Sequence, residues 1–169
     1  MTRLAPCAFE PRGKRPPPER KPRMRLWSVR HTALLERVYA RFEAAVARAA
    51  PMLARVGYDR LERPTAALEA AVKGFLFDCR MCGDCVLSNT GMSCPMNCPK
   101  AMRNGPCGGV RADGNCEVYP KMHCVWLKAY EGSLAMRGGA AIAEILPPLD
   151  HGRKGSSTWL RLARETASA

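Results

Sequence analysis

The stretch that decides the fold runs from Cys79 to Cys124 and reads CRMCGDCVLSNTGMSCPMNCPKAMRNGPCGGVRADGNCEVYPKMHC. It holds eight of the nine cysteines of the chain, together with six glycines and four prolines. Glycine and proline both interrupt regular backbone, so long helices or strands are not expected within it. Sulfur chemistry, rather than an apolar core, must therefore hold this segment together.

Three cysteines, Cys79, Cys82 and Cys85, form a C-x2-C-x2-C motif, which is the most informative spacing in the chain. Two residues between thiols bring successive sulfurs into one small volume. Bacterial ferredoxins use such a run, completed by a further Cys-Pro, to bind four-iron clusters. Cys94-Pro95 and Cys98-Pro99 both supply a Cys-Pro pair, although farther along the chain than in the ferredoxin pattern.

Two [4Fe-4S] clusters are the predicted cofactors, because eight thiolates match two clusters with four ligands each. Zinc is the alternative, as two four-thiolate sites or as one zinc beside one cluster, since tetrahedral zinc sites also use closely spaced cysteines. The later thiols of the segment are single and widely spaced, which is less typical of zinc. The predicted cofactor-binding and metal-binding residues are Cys79, Cys82, Cys85, Cys94, Cys98, Cys107, Cys116 and Cys124.

The beginning of the chain contains no apolar run of the kind that secretory signals carry, and no run is long and apolar enough to cross a membrane. We therefore expect a cytoplasmic protein that does not enter a membrane. Stable disulfides are rare in the reducing cytoplasm, which favours metal or cluster binding over disulfide bonds. Cys7 stands apart from the other cysteines and is expected to be a free thiol.

The formal charge of +12 suggests nucleic-acid binding as a third interpretation. More than half of the excess lies in residues 1–30, which carry nine Lys or Arg against two Glu. Residues 79–124 carry five basic and three acidic side chains, and Tyr119 is their single aromatic residue. The surface for phosphate contacts and base stacking is therefore thin, and a zinc-ribbon nucleic-acid binder is only a minor alternative.

Composition divides the chain into four predicted regions. Residues 1–26, with six of the fourteen prolines, form a disordered basic arm. Residues 27–74 form a helical packing unit, and residues 75–131 form the cysteine-rich cluster-binding region. Residues 132–169 form C-terminal helices and a partner-docking tail. The predicted fold class is mainly α: a small helical bundle plus an irregular cysteine-rich region that binds metal or clusters.

Hydrophobic periodicity places the helices. Apolar residues recur at intervals of three and four from about Thr32, and this helix is expected to kink or restart at Pro51. A second helix is predicted from Pro64 to Lys73, and a short one directly after the last cysteine of the block. Ala140–Leu146 is a further candidate helix. Trp159, in the last predicted helix, is expected either to pack back on the core or, as the preferred interpretation, to dock on another protein.

Five runs resemble the methylenetetrahydrofolate reductase C-terminal domain family: FLFDCRMCGDCVL, TGMSCPMNCPK, NGPCGGV, GNCEV and CVWLKAY. The resemblance extends from the helix near Leu34 to the late GSSTWL, and all eight clustered cysteines match it. It implies a cysteine-rich module, iron-sulfur or zinc, joined to the enzyme that reduces 5,10-methylenetetrahydrofolate to 5-methyltetrahydrofolate. The proline-rich arm is not part of the pattern.

The resemblance also implies a partner. Members of this family are either fused behind a flavin-containing reductase barrel or associate with one as separate proteins. A barrel of about 250 residues does not fit in this chain, so we expect an accessory subunit of the reductase. We find no nucleophile with its base, paired carboxylates or nucleotide-binding glycine motif, and therefore predict no catalytic residues. Its expected role is to pass electrons to or from the flavin; the alternative is a redox-inactive, zinc-stapled structural subunit.

Overall fold

The computed structural model describes residues 22–168. Within that range the chain is mainly helical and contains no extended strand. The α-helices are α1 (Pro22–Arg30), α2 (Thr32–Val56), α3 (Tyr58–Phe77), α4 (Val125–Leu134) and α5 (Thr158–Ser168), and short 3-10 turns lie at Pro95–Asn97, Gly139–Ala143 and His151–Arg153. The predicted mainly α fold is confirmed, while metal binding by the irregular segment remains a prediction.

Helix α1 corrects the boundary of the predicted arm, because its first residues, 22–26, were expected to be disordered. The helix packs against α3, and Ser28 within it is fully buried. The Ser28 hydroxyl donates a hydrogen bond of 2.7 Å to the Leu76 carbonyl. The rest of the predicted arm, including Cys7, lies outside the described residues.

Helix α2 passes through Pro51 without the predicted restart and ends at Val56. A proline inside a helix removes one backbone hydrogen bond, but neighbouring Ala50 is 1% exposed, and tertiary packing of this face outweighs the loss. The helix stops at Gly57, where φ is 96°. A positive φ favours glycine, so this residue suits the end of the helix.

Helix α3 is longer at both ends than the predicted Pro64–Lys73, because it begins at Tyr58 and ends at Phe77. Phe77, four residues after the buried Lys73, continues the buried face of the helix, so Gly74 lies inside the helix rather than at its end. Asp78 takes the C-terminal capping position instead, in the left-handed conformation with φ 52°. The turn at Asp78 delivers the chain directly to the first cysteine.

The C-terminal part of the chain folds back onto the bundle. Helix α5 packs against α2 and α3, and Leu160 and Ala163 are buried there. The Trp159 ring lies 4.9 Å from the Phe42 ring, measured between centroids. The Trp159 ring therefore packs within this chain, while its docking on another protein stays a prediction.

Between the bundle and α5 lies the irregular segment, followed by α4, whose position after the last cysteine of the block confirms the prediction. The predicted helix at Ala140–Leu146 is only a 3-10 turn at Gly139–Ala143. Two small apolar clusters flank the segment, one around Phe77 and Met92 and one around Met122 and Val125. None of the helices in the described part of the chain combines the length and apolar character needed to cross a membrane.

Candidate metal centre

Four of the predicted ligands line a single cavity at the end of α3. We call them the first thiol group: Cys79, Cys82, Cys85 and Cys94. The left-handed turn at Asp78 starts the loop, and a second positive φ, 47° at Met81, turns the chain again between the first two cysteines. The C-x2-C-x2-C motif therefore wraps around one volume, as its spacing predicts.

Residues from just before α5 and from within it hold this loop in place. The Gly155 N–H donates to the Met81 carbonyl at 2.8 Å, and Arg161 Nη1 donates to the Gly83 carbonyl at 2.9 Å. Gly83 has φ 75°, and a Cβ at this position would lie 1.9 Å from the carbonyl oxygen of Arg153. Only glycine fits there, so the close approach of the two segments depends on it.

The Asp84 carboxylate forms ion pairs with three arginines beside the same loop. Its carboxylate lies 2.7 Å from Arg103 Nη2, 3.6 Å from Arg161 Nη2 and 4.0 Å from Arg153 Nη1. The side chains of Asp84 and Arg103 are largely buried. Three arginines from separate parts of the chain thus converge on one carboxylate and fix the loop in position.

A buried ion pair also lines this cavity. Lys73 Nζ lies 2.7 Å from the Glu69 carboxylate, and both residues line the cavity with the first thiol group. Burial acts to lower the pKa of Lys73, but the charges of Cys85 and Glu69 outweigh it and raise the pKa. Burial acts to raise the pKa of Glu69, and the Lys73 charge with its hydrogen bonds lowers it below the usual value. Both side chains are therefore ionised at neutral pH.

Two thiols of the first group, Cys79 and Cys94, are hard to ionise while they carry no metal. Burial raises the pKa of Cys79 to about 11, even though the Met81 N–H donates to its sulfur at 3.3 Å. Burial and neighbouring cysteines raise the pKa of Cys94 further. Because metals bind thiolates, the binding of a metal must release these protons.

Two more cysteines, Cys107 and Cys116, lie within electrostatic range of Cys98, and we call these three the second thiol group. Burial raises the pKa of Cys98. The N–H groups of Met102 and Lys100 partly oppose this rise, because they donate hydrogen bonds to the Cys98 sulfur. Another backbone donor, the Gly109 N–H, lies 3.4 Å from the Cys107 sulfur. Such donors stabilise thiolates, whether iron or zinc is the metal.

The eighth cysteine of the block returns toward this group through a short antiparallel turn. Asn115 pairs with His123, and the Cys116 N–H donates to the Met122 carbonyl at 2.9 Å. The Cys124 N–H then donates to the Gly114 carbonyl at 3.0 Å, just before α4 begins. These contacts bring Cys124 back beside the backbone that carries Cys116.

The predicted ligands therefore fall into an earlier and a later set, a division that sequence spacing left open. The eight cysteines of the block are free thiols. Across residues 22–168, no three histidine, cysteine, aspartate or glutamate side chains are grouped so that they could hold a metal ion as they stand. The chemistry of the donors nevertheless fits a thiophilic metal or an iron-sulfur cluster, because four thiols face one cavity.

Sequence reasoning missed one residue beside these thiols, Arg25 of α1, which is 1% exposed. Its Nη2 donates to the His123 carbonyl at 3.5 Å. Burial lowers the pKa of Arg25 to about 10, while the charges of Asp78, Cys94 and Cys124 act to raise it. An arginine in a basic, proline-rich stretch carries no sequence signal of burial, and only the packing of α1 identifies it.

Fold and thiols together define a small helical protein with a cysteine-rich candidate metal centre. The family model described as "Methylene-tetrahydrofolate reductase C terminal" matches residues 58–152, more than half of the chain, so the protein belongs to this family. The match begins at the start of α3 and includes all eight clustered cysteines. It covers a shorter range of residues than the resemblance described above, which begins near Leu34 and ends at GSSTWL. Membership is consistent with association with the reductase. No curated protein and no solved structure matches the chain.

Proposed function

We propose that the protein is an accessory subunit of a flavin-dependent 5,10-methylenetetrahydrofolate reductase and carries two [4Fe-4S] clusters. The clusters would pass electrons to or from the flavin of the catalytic subunit. The observation that carries this proposal is the convergence of four thiols on one cavity in a member of the reductase family. A cluster of this type supplies one-electron transfer when it is bound.

The ligands of the two clusters follow the two sets of thiols. The first thiol group, Cys79, Cys82, Cys85 and Cys94, includes the ferredoxin-like run and a Cys-Pro pair, which supports one four-ligand site. Cys124 completes the second thiol group as the fourth ligand of the other site. Its backbone contacts near Cys116 support this assignment.

The other residues of the centre tune and protect it. Phe77, Leu87 and Met92 form a buried apolar cluster with Cys94, which keeps water from one side of the first site. Met122 and Val125 do the same beside Cys98 in the second. Low solvent exposure and N–H donors to sulfur are two of the factors through which proteins set the potential of such centres.

Metal analysis of anaerobically purified protein tests the cofactor. Brown protein with about eight irons per chain, and a paramagnetic signal on reduction, supports the proposal. Colourless protein with stoichiometric zinc would overturn it in favour of a redox-inactive subunit in which the metal only holds the fold together.

Co-purification with the catalytic subunit tests the partner. A stable complex in which reduction of the clusters changes the flavin absorbance supports electron transfer between them. If the complex forms but no electrons pass between the clusters and the flavin, the proposed association with the reductase would stand and the proposed redox role would be refuted. Absence of any complex would refute the assignment as a reductase subunit.

A further inference from the structure

Arg25 is the buried cation that borders both sets of cysteines. It is 1% exposed, and its guanidinium donates to the carbonyl of His123, the residue before Cys124. Its electrostatic neighbours are Asp78, Cys94 and Cys124. Cys94 belongs to the first thiol group and Cys124 lies beside the second, so one side chain of α1 acts on both.

Burial of a charge costs free energy unless nearby opposite charge offsets it. The acidic neighbour of Arg25 is Asp78, and the same carboxylate lies 3.5 Å from Arg80. Two guanidinium groups thus share one carboxylate.

Metal binding changes this balance. Four thiolates around Zn²⁺ leave a net charge of about −2 by simple counting, and four-iron clusters with four thiolate ligands are likewise anionic. The charge arises in buried surroundings, where a neighbouring cation stabilises it strongly. Arg25 is within electrostatic range of Cys94 and Cys124, one cysteine from each set.

We propose that Arg25 is a positioning residue of the metal centre, whose fixed positive charge offsets the negative charge that both cysteine sets gain when they bind metal. The inference rests on metal binding in the proposed function, but not on the choice of iron or zinc and not on electron transfer. It predicts that loss of the charge weakens binding at both sites rather than at one.

Arg25→Met and Arg25→Lys in the full chain test the proposal, with Arg23→Met and Arg30→Met as matched controls. The control arginines lie on the same helix but are exposed. Zn²⁺ affinity is measured by competition with a chelator, and cluster retention by the rate of iron loss to a chelator under anaerobic conditions. We expect Arg25→Met to lower zinc affinity by about 10- to 100-fold at both sites, the usual range for residues that support metal ligands.

The lysine variant separates charge from packing. We expect Arg25→Lys to keep affinity within a few-fold of wild type, and both control variants to match wild type. Wild-type affinity in Arg25→Met would overturn the proposal, as would equal losses in the lysine and methionine variants. A wild-type chain that binds neither metal would instead refute the proposed function, so the two failures are distinct.

Stability measurements exclude a purely structural role. Arg25→Met also removes a cation near Asp78 and the donor to the His123 carbonyl, and loss of one partner of a buried pair is destabilising whether or not metal is bound. We therefore expect Arg25→Met to lower the unfolding midpoint of both forms, and that of metal-loaded protein by more. Equal destabilisation of both forms would overturn the proposal. If the metal-free chain does not fold, the affinity ratio of the lysine and methionine variants decides by itself.

Discussion

Lys73 Nζ lies 2.7 Å from the carboxylate of Glu69, one turn away on α3, and each residue is less than 5% exposed. The carboxylate also accepts hydrogen bonds from the hydroxyls of Ser157 and Thr158 and, at 3.3 Å, from the Trp159 N–H. Glu69 therefore places a negative charge at the N-terminus of α5, where the helix dipole favours it. One carboxylate joins the wall of the first thiol group to the C-terminal helix.

Replacement of Glu69 by Gln should strongly destabilise the protein, because it leaves the Lys73 ammonium buried without its carboxylate. Loss of one partner of a buried pair costs about 3–5 kcal/mol, and chemical denaturation measures it. Glu131→Gln is the matched control, since Glu131 also lies 2.7 Å from a lysine but on the surface. Exposed pairs contribute about 0–1 kcal/mol, so equal losses in the two variants would contradict the account.

Gly83→Ala should disrupt the loop of the first thiol group. The new Cβ would meet the Arg153 carbonyl, and the φ of 75° would strain any L-residue. Gly57→Ala is the control, because Gly57 has φ 96° but nothing within 4 Å of its Cβ position. Strain alone costs about 1–2 kcal/mol, so denaturation should show a larger loss at Gly83. Similar losses of stability in Gly83→Ala and Gly57→Ala would mean that the backbone at Arg153 can move away from the new Cβ without a measurable loss of stability.

Glu36 makes the turn after α4 sensitive to acid. Its carboxylate accepts hydrogen bonds of 2.9 Å from the N–H groups of Arg137 and Gly138, which lower its pKa. A lowered folded-state pKa gives stability that is full above the unfolded value of about 4.3 and is lost as pH falls through the folded value. Glu36→Gln should therefore lower the unfolding midpoint at pH 7, with the gap to wild type narrowing toward pH 3. A gap that stays constant with pH would exclude this role.

Local patterns predicted much of this fold. Three- and four-residue periodicity located α2, and an apolar run after the cysteine block located α4, because both signals depend on residues close in sequence. Helix α2 does not restart at Pro51, because the cost of a proline is local while the packing that offsets it comes from other elements. The burial of Arg25 and the return of Trp159 onto Phe42 also depend on distant contacts. The amino-acid composition around Arg25 and Trp159 does not predict these contacts.

The candidate site also has one part that the sequence predicted and one part that depends on packing between distant residues. The C-x2-C-x2-C spacing predicted that Cys79, Cys82 and Cys85 lie around one volume, and all three line the cavity at the end of α3, while their binding of a metal stays a prediction. The assignment of Cys94 to their cavity was not predictable, because Cys98 offers the same Cys-Pro pair four residues later. Packing of Cys94 beside Phe77 and Met92 makes the distinction.

Cys82→Ser tests the ligand assignment directly. Serine keeps the size of the side chain but replaces the soft thiolate that iron and zinc prefer. We expect the variant to lose about half of the bound metal, because one of two four-thiolate sites is damaged. Total metal per chain, measured by elemental analysis, reports the change. Cys7→Ser is the control, since Cys7 belongs to neither set of cysteines and should leave metal content unchanged. Loss of half the metal in Cys7→Ser, or none in Cys82→Ser, would contradict the assignment.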